Sequence, residues 1–332
     1  MPNNIVRWGI AGLGNIAHRF VSDLTQHVEN VELRAVAARD EKRAKDFADT
    51  YGCPSSYGSY RQLAEDANVD VVYISTIHPY HKNLVELCLL NGKHVLVEKP
   101  AFTNERDWLE MSALAKKNGL ILLEAMKSVA FPAYQALTEF ILNNEVVIDF
   151  VEAAFGNWHK FDPTENIFNP NLSGGATLDV GVYPLWLYVD LCRLTKTPIV
   201  TPSIKYAQDN PGSGVDENVE FLFDGKIKGK ISASITRDLK REAIITGPDL
   251  KITIAEKWWN PTHIHILYKD KVHEISIPPV GGGFEYEIEH VSNLIRDNQQ
   301  KSHILHSQSS QRVAAIMESA LTSNGYNHLV KL

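Results

Sequence analysis

Apolar and polar positions follow two successive regimes along the chain. Ile5–Ala11 is a short apolar run ending at Gly12, which predicts a buried strand. Ile16–Leu24 carries its apolar residues at helical spacing. Val31–Ala38, Val69–Ser75, His94–Glu98 and Leu120–Ala125 predict four more strands. Glu41–Tyr51, Tyr60–Asp66, Pro79–Asn91 and Glu105–Asn118 read as the helices between them, with Gly52, Gly92 and Gly119 placed to stop three of these. Strands that alternate with helices pair in parallel through right-handed crossovers, so this half predicts an α/β, doubly wound parallel sheet.

After about residue 127 the pattern changes. Pro132–Asn143 predicts a helix, Val147–Asn157 a strand, and Leu178–Leu194 one long apolar helix. Val219–Phe223, Lys226–Thr236, Glu242–Thr246, Leu250–Ala255, His263–Tyr268 and His273–Ile277 are strand-like runs with turn residues between them, as in an antiparallel sheet. Glu285–Asp297 and Ser307–Thr322 predict closing helices. The expected division is a doubly wound domain over 1–126 and an α+β domain with a largely antiparallel open sheet over 127–332. The pattern leaves open whether the last helix returns to the first domain.

Composition narrows the function classes. A chain of 332 residues suits two domains. Its 44% hydrophobic and 22% charged content is that of an ordinary globular protein. A net charge of −7 argues against a nucleic-acid partner, which needs a concentrated basic face. No secretion signal or membrane span is legible. Cys53, Cys88 and Cys192 are odd in number and far apart, so reduced thiols in a cytoplasmic protein are expected.

The first strand runs into Gly12-Leu13-Gly14-Asn15-Ile16-Ala17, which fits G-x-G-x-x-A. Gly12 permits the tight turn, Gly14 lets a pyrophosphate approach the backbone, and Ala17 lets helix and strand pack closely. The amides around Asn15 and Ile16 would face the phosphates at the helix N-terminus. The strand before it and the helix after it turn a weak pattern into a Rossmann dinucleotide site. At the end of the second strand, Ala38 stands where an acid would bond the ribose of NAD, and Arg39 suits the 2′-phosphate of NADP. Arg43 could join it. NADP is favoured, and NAD stays open because Asp40 could serve it if the loop turned inward.

The fourth strand ends in Glu98-Lys99-Pro100. Ligands of open parallel sheets lie beyond the carboxyl ends of the strands, so Glu98 and Lys99 are expected toward the nicotinamide. In the second half, Asp179 and Tyr183 lie four residues apart in an apolar segment. On one helix they would share a face. A nearby lysine cation lowers a phenol toward working pH, which suits proton exchange with a carbonyl or alcohol. Trp158, His159 and Phe161, in the loop before that helix, are candidates for lining a substrate pocket. His78-x-x-His81, His263-x-His265 and His303-x-x-His306 lack companion ligands at a recognised metal spacing, so no metal is expected.

These segments together resemble the glucose–fructose oxidoreductase, inositol dehydrogenase and rhizopine-catabolism family over nearly the whole chain. The resemblance rests on the glycine turn, Ala38-Arg39-Asp40, Thr76-Ile77-His78-Pro79-Tyr80-His81, Glu98-Lys99-Pro100 and the Gly174–Tyr183 segment. It implies that Lys99 lies near nicotinamide and substrate hydroxyl, and that Thr76, His78 and His81 line the cofactor. Many members carry histidine where this chain has Tyr183. Tyrosine there, with Tyr57-Gly58-Ser59-Tyr60 and Glu124-Ala125-Met126, resembles a branch with dimeric dihydrodiol and NADP-linked D-xylose dehydrogenases. The branch implies Tyr183 as acid/base with Lys99 as its partner, and Asp179 bonding the substrate or holding Lys99. Lys127 replaces an aromatic residue of the dihydrodiol enzymes, which points to a polar, sugar-like substrate. A homodimer or higher homo-oligomer is expected from the second-domain sheet. The alternative is a non-catalytic dinucleotide sensor of the same fold.

Overall fold

The computed structural model describes residues 5–330. The chain runs β1 (Val6–Ala11), α1 (Asn15–His27), β2 (Val31–Ala37), α2 (Glu41–Tyr51), β3 (Ser55–Tyr57), α3 (Tyr60–Glu65), β4 (Val71–Ile74), α4 (His81–Leu90), β5 (His94–Glu98), α5 (Glu105–Lys117), β6 (Leu122–Ala125) and α6 (Lys127–Ala130). It continues with α7 (Pro132–Asn143), β7 (Phe150–Gly156), α8 (Ala176–Asp179), α9 (Val182–Leu194), β8 (Ser203–Ala207), β9 (Asn218–Asp224), β10 (Lys228–Ser234), β11 (Ala243–Gly247), β12 (Leu250–Ile254), β13 (His263–Tyr268) and β14 (Lys271–Ser276), and ends with α10 (Glu285–Arg296) and α11 (Ser307–Ser323). Most expected elements form; the long helix expected over Leu178–Leu194 is divided, and the short helix α6 and two short strands are added. Ser55–Tyr57 and Ser203–Ala207 are short edge strands, each paired with one neighbour and only partly buried.

The residues group into two compact units. One comprises 1–102, 106–130 and 279–307; the other 103–105, 131–278 and 308–332. The units are therefore not continuous in sequence. The penultimate helix α10 groups with the first, while the last helix α11 lies almost wholly in the second. Named groups hold α10 in place. The Asp23 carboxylate on α1 accepts from the amides of Gly282 and Phe284, and the Trp8 indole N–H donates to Ser292 Oγ at 3.1 Å.

In the first unit six parallel strands lie in the order β3-β2-β1-β4-β5-β6. Its central strands are apolar on both faces, as parallel strands between helices must be. Register fixes the functional end. Ala11 pairs with Ala37 and Ile74, and Ile74 with Val97, so Gly12, Ala38 and Ser75 leave the sheet at one end, where Glu98 closes β5 beside Ala125.

In the second unit eight strands lie in the order β14-β13-β12-β11-β7-β10-β9-β8, antiparallel except for β7 beside β10. Val151, Phe221, Ile231, Ile245, Ile252 and Ile264 are buried at alternate positions, which marks one inward face. Helix α9 is buried nearly all round. The Tyr134 hydroxyl on α7 donates to Asp190 on α9, and the Trp186 indole on α9 to Ser310 on α11.

Candidate active site

The glycine turn is closed by backbone geometry. Gly12 has φ 94°, a region that favours glycine, and a Cβ there would lie 2.9 Å from the carbonyl group of Ser75. The Gly12 amide donates to Ala37 O and its carbonyl accepts from Ser75 Oγ, so the turn is stitched between the ends of β2 and β4. Gly14 opens α1 with no side chain capping the helix, which leaves first-turn amides to an outside acceptor. A Cβ on Gly14 would meet nothing within 4 Å. Thr76 Oγ1 is buried without a partner. Open amides, clearance over Gly14 and an orphaned hydroxyl fit a dinucleotide pyrophosphate.

Arg39 is exposed, with its guanidinium 5.7 Å from the centre of the Tyr80 ring. Asp40 caps α2 by accepting the Arg43 amide at 2.9 Å. Arg43 in turn donates to Leu13 O at 2.6 Å, which ties α2 to the glycine turn.

Lys99 is half-buried just past β5, and the Lys99–Pro100 peptide is cis. The buried Glu98 carboxylate accepts from the Tyr73 hydroxyl and, at 3.2 Å, from the Lys99 amide. Burial raises the Glu98 carboxyl above the ordinary carboxylate range, against these bonds and the nearby Lys99 cation. His78 is half-buried in the turn before α4, with its ring 5.9 Å from that of His81.

Two expected side chains have other surroundings. His81 is wholly buried, and its ring nitrogens face the backbone carbonyls of Thr76, Pro100 and Ala101. It is therefore a core group behind the cofactor-side loops, not part of their lining. Lys127 is also buried. Its ammonium donates to Gly282 O at 3.1 Å and sits 4.3 Å from the centre of the Phe284 ring. Burial lowers its pKa, with Arg19 adding to the effect and the carboxyls of Glu287, Glu98 and Asp23 opposing it.

In the second unit the expected single helix is broken. Alpha-helical pairing stops at Asp179 and resumes at Val182, with Val180 and Gly181 between. The amides of Val180 and Gly181 both return to Ala176 O, and the Tyr183 amide bonds Val180 O. Asp179 thus ends one helix and Tyr183 lies in the first turn of the next, with Val180 and Gly181 between the helices in the right-handed helical region. Gly181 makes the break compact, since a Cβ there would lie 2.7 Å from Thr177 O. Tyr183 is half-buried, its ring centre 5.2 Å from that of Phe155, which stacks on Trp259 at 3.9 Å.

The start of α8 is held by Asp216, a residue the sequence pattern did not single out. Gly175 has no side chain to cap the helix. Asp216 Oδ2 instead accepts from the Thr177 amide and hydroxyl, and Asp216 O accepts from the Ala176 amide. Asp216 Oδ1 is buried without a partner, and burial pushes the carboxyl up to about 7. Asp216-Glu217 reads in sequence as an ordinary polar turn, so no local signal betrays it. Trp158 and His159 are exposed in the loop after β7, where the Trp158 amide bonds Asp238 and the His159 amide bonds Ile235 O. The Phe161 ring lies 5.2 Å from that of Phe168.

Residues 6–126 match the oxidoreductase family with an NAD-binding Rossmann fold. The chain is 32% identical to the trans-1,2-dihydrobenzene-1,2-diol dehydrogenase of Xenopus tropicalis, over 97% of this chain and 99% of that one. It is 33% identical to the human protein of that name, over 94% and 95%. Among solved structures it is similar to an aldose–aldose oxidoreductase from Caulobacter crescentus complexed with glycerol (TM-score 0.82, 21% identity, 98% and 99% covered). It is also similar to a 3-ketoreductase from Actinomadura kijaniata in complex with NADP and TDP-benzene (TM-score 0.81, 22% identity, 96% and 98% covered). The chain is an oxidoreductase that belongs to the glucose–fructose oxidoreductase, inositol dehydrogenase and rhizopine-catabolism family of NAD(P)-binding enzymes.

Proposed function

We propose that this enzyme transfers hydride between NADP and a CH–OH group of a sugar, polyol or cyclic diol. The observation that carries the reading is the shared sheet end at which Gly12, Thr76 and Lys99 emerge within one unit. NADP is favoured over NAD because Arg39 is exposed at the end of β2, whereas the Asp40 carboxylate is engaged as a helix cap.

Gly12, Gly14 and the amides of Asn15 and Ile16 would hold the pyrophosphate, Arg39 the 2′-phosphate, and Thr76, His78 and Glu98 the nicotinamide side. Bound there, NADP supplies the hydride acceptor and NADPH the donor. Tyr183 takes the proton of the substrate hydroxyl during oxidation and returns it during reduction. Lys99, as a cation, stabilises the phenolate and orients the hydroxyl. Asp179 accepts a bond from a second substrate hydroxyl. The replaced lysine and tyrosine in variant structures of the 3-ketoreductase stand the same number of residues apart as Lys99 and Tyr183, which supports pairing their roles.

A vicinal diol is the favoured substrate feature, from the names of the relatives. The Lys127 ammonium, expected to favour a polar, sugar-like substrate, is buried and bonded to Gly282 O and is not part of this reading. Trp158, His159 and Phe161 would line the substrate. The enzyme is read as cytoplasmic and homo-oligomeric; among the described residues no helix is long and apolar enough to cross a membrane.

Tyr183→Phe tests the mechanism. Turnover should fall by about 100-fold or more, with NADP affinity within about threefold of the parent. Parent-like turnover would remove the tyrosine from the reaction.

A further inference from the structure

His81 opens α4 with its ring wholly inside the first unit, yet it touches backbone from two separate loops. Nε2 lies 2.9 Å from Thr76 O, just past β4. Nδ1 lies 3.1 Å from Pro100 O and 3.2 Å from Ala101 O, just past Lys99. All three partners are acceptors, so each contact is a bond only when the facing nitrogen carries hydrogen. A neutral ring fills one side, and only the imidazolium fills both. Burial holds the ring toward the neutral form, against the three carbonyls that favour its charge, and the nearby Lys99 cation adds to the effect of burial.

Beyond Ile74 and Val97 the β4–β5 register ends. The turn after Lys99 has a second anchor, Glu124 Oε1, which accepts the Ala101 amide at 2.9 Å. His81 connects that turn to the strand end beside Gly12, because Thr76 packs directly over the glycine turn. The lysine's long side chain amplifies any rotation of the turn that carries it.

We propose that His81 is a positioning residue: its ring clasps two loops, donating from Nδ1 to the Lys99–Pro100 turn while it packs against the Thr76 strand end, and so sets where the Lys99 ammonium stands. The proposal rests on the reading of Lys99 as a catalytic residue. A displacement of about 1 Å at such a group lowers turnover by about 100-fold.

Two substitutions separate the two sides of the clasp. The amide of His81→Asn falls near Nδ1 and keeps a donor for Pro100 and Ala101. The amide of His81→Gln falls near Nε2 and keeps a donor for Thr76 only. His81→Gln should lower kcat by about 30-fold, with KM for NADP within about threefold; His81→Asn should keep kcat within about fivefold. A second readout needs no substrate. Lysines are reductively methylated with isotope-labelled methyl groups, and the Lys99 resonance is assigned by its loss in Lys99→Arg. That resonance should shift in His81→Gln and stay in place in His81→Asn. Equal kcat in both variants, with the resonance at its parent position, would overturn the proposal. If His81→Gln does not fold, His81→Phe, which fills the site with a ring that has no donor, decides alone: a displaced resonance supports the clasp and a parent-like one refutes it. A parent enzyme inactive on every substrate would remove the catalytic reading, while the resonance still tests the clasp.

Discussion

Gly12 and Gly14 do different work, and the difference is measurable. At Gly12 a side chain meets the Ser75 carbonyl and a positive φ, so substitution strains the fold itself. At Gly14 a Cβ meets open space, so the only thing it obstructs is a ligand approaching the turn. Gly14→Ala should leave the melting temperature unchanged and weaken NADP binding by about tenfold, as a titration of cofactor fluorescence would read. Unchanged affinity would place the pyrophosphate elsewhere. The glycine turn was legible because its spacing is local. His81 and Lys127 were legible only as positions in a motif. Their partners, Thr76, Pro100 and Ala101 for one and Gly282 for the other, come from loops that the strand alternation does not bring together. Burial decides the role of each, and a single histidine or lysine letter carries no burial signal.

Periodicity located most elements but not the interruption between α8 and α9. Leu178–Leu194 is apolar throughout, and an apolar run hides a break when the breaking residue is a glycine tolerated inside helices. Here Gly181 is required by the approach of Thr177 O. Gly181→Ala should cost about 1–3 kcal/mol of stability and lower turnover further than the melting shift explains, because Tyr183 begins two residues on. Thermal melts and initial rates on the same preparation would test this; a parent-like melt would mean the turn can relax. The edge strands β3 and β8 escaped detection because each is short and only partly buried.

For the whole molecule, strand alternation was enough to separate a doubly wound sheet from a largely antiparallel one, since each pairing mode leaves its own period. It could not show that α10 returns to the first unit, because the Asp23–Gly282 and Trp8–Ser292 bonds join distant segments. Buried acids also give the molecule a pH signature. The Asp216 carboxyl, at about 7 when folded against 3.8 ordinarily, keeps its proton in the fold after the unfolded chain has released it. Its contribution to stability therefore declines as pH rises from about 4 to about 7. Over that range the melting temperature of Asp216→Asn should gain on that of the parent. A constant difference would show that Asp216 is ionised in the fold.

The central claim is that this chain moves hydride between NADP and a polar CH–OH substrate. Its most direct test is the near-ultraviolet absorbance of reduced nicotinamide during incubation with aldoses, polyols and trans-diols, run with NADP and with NAD. The account predicts NADPH formation with at least one diol-bearing substrate, and a kcat/KM about tenfold or more higher with NADP than with NAD. Tight NADP binding without reduced nicotinamide from any substrate would contradict it and make the protein a dinucleotide sensor.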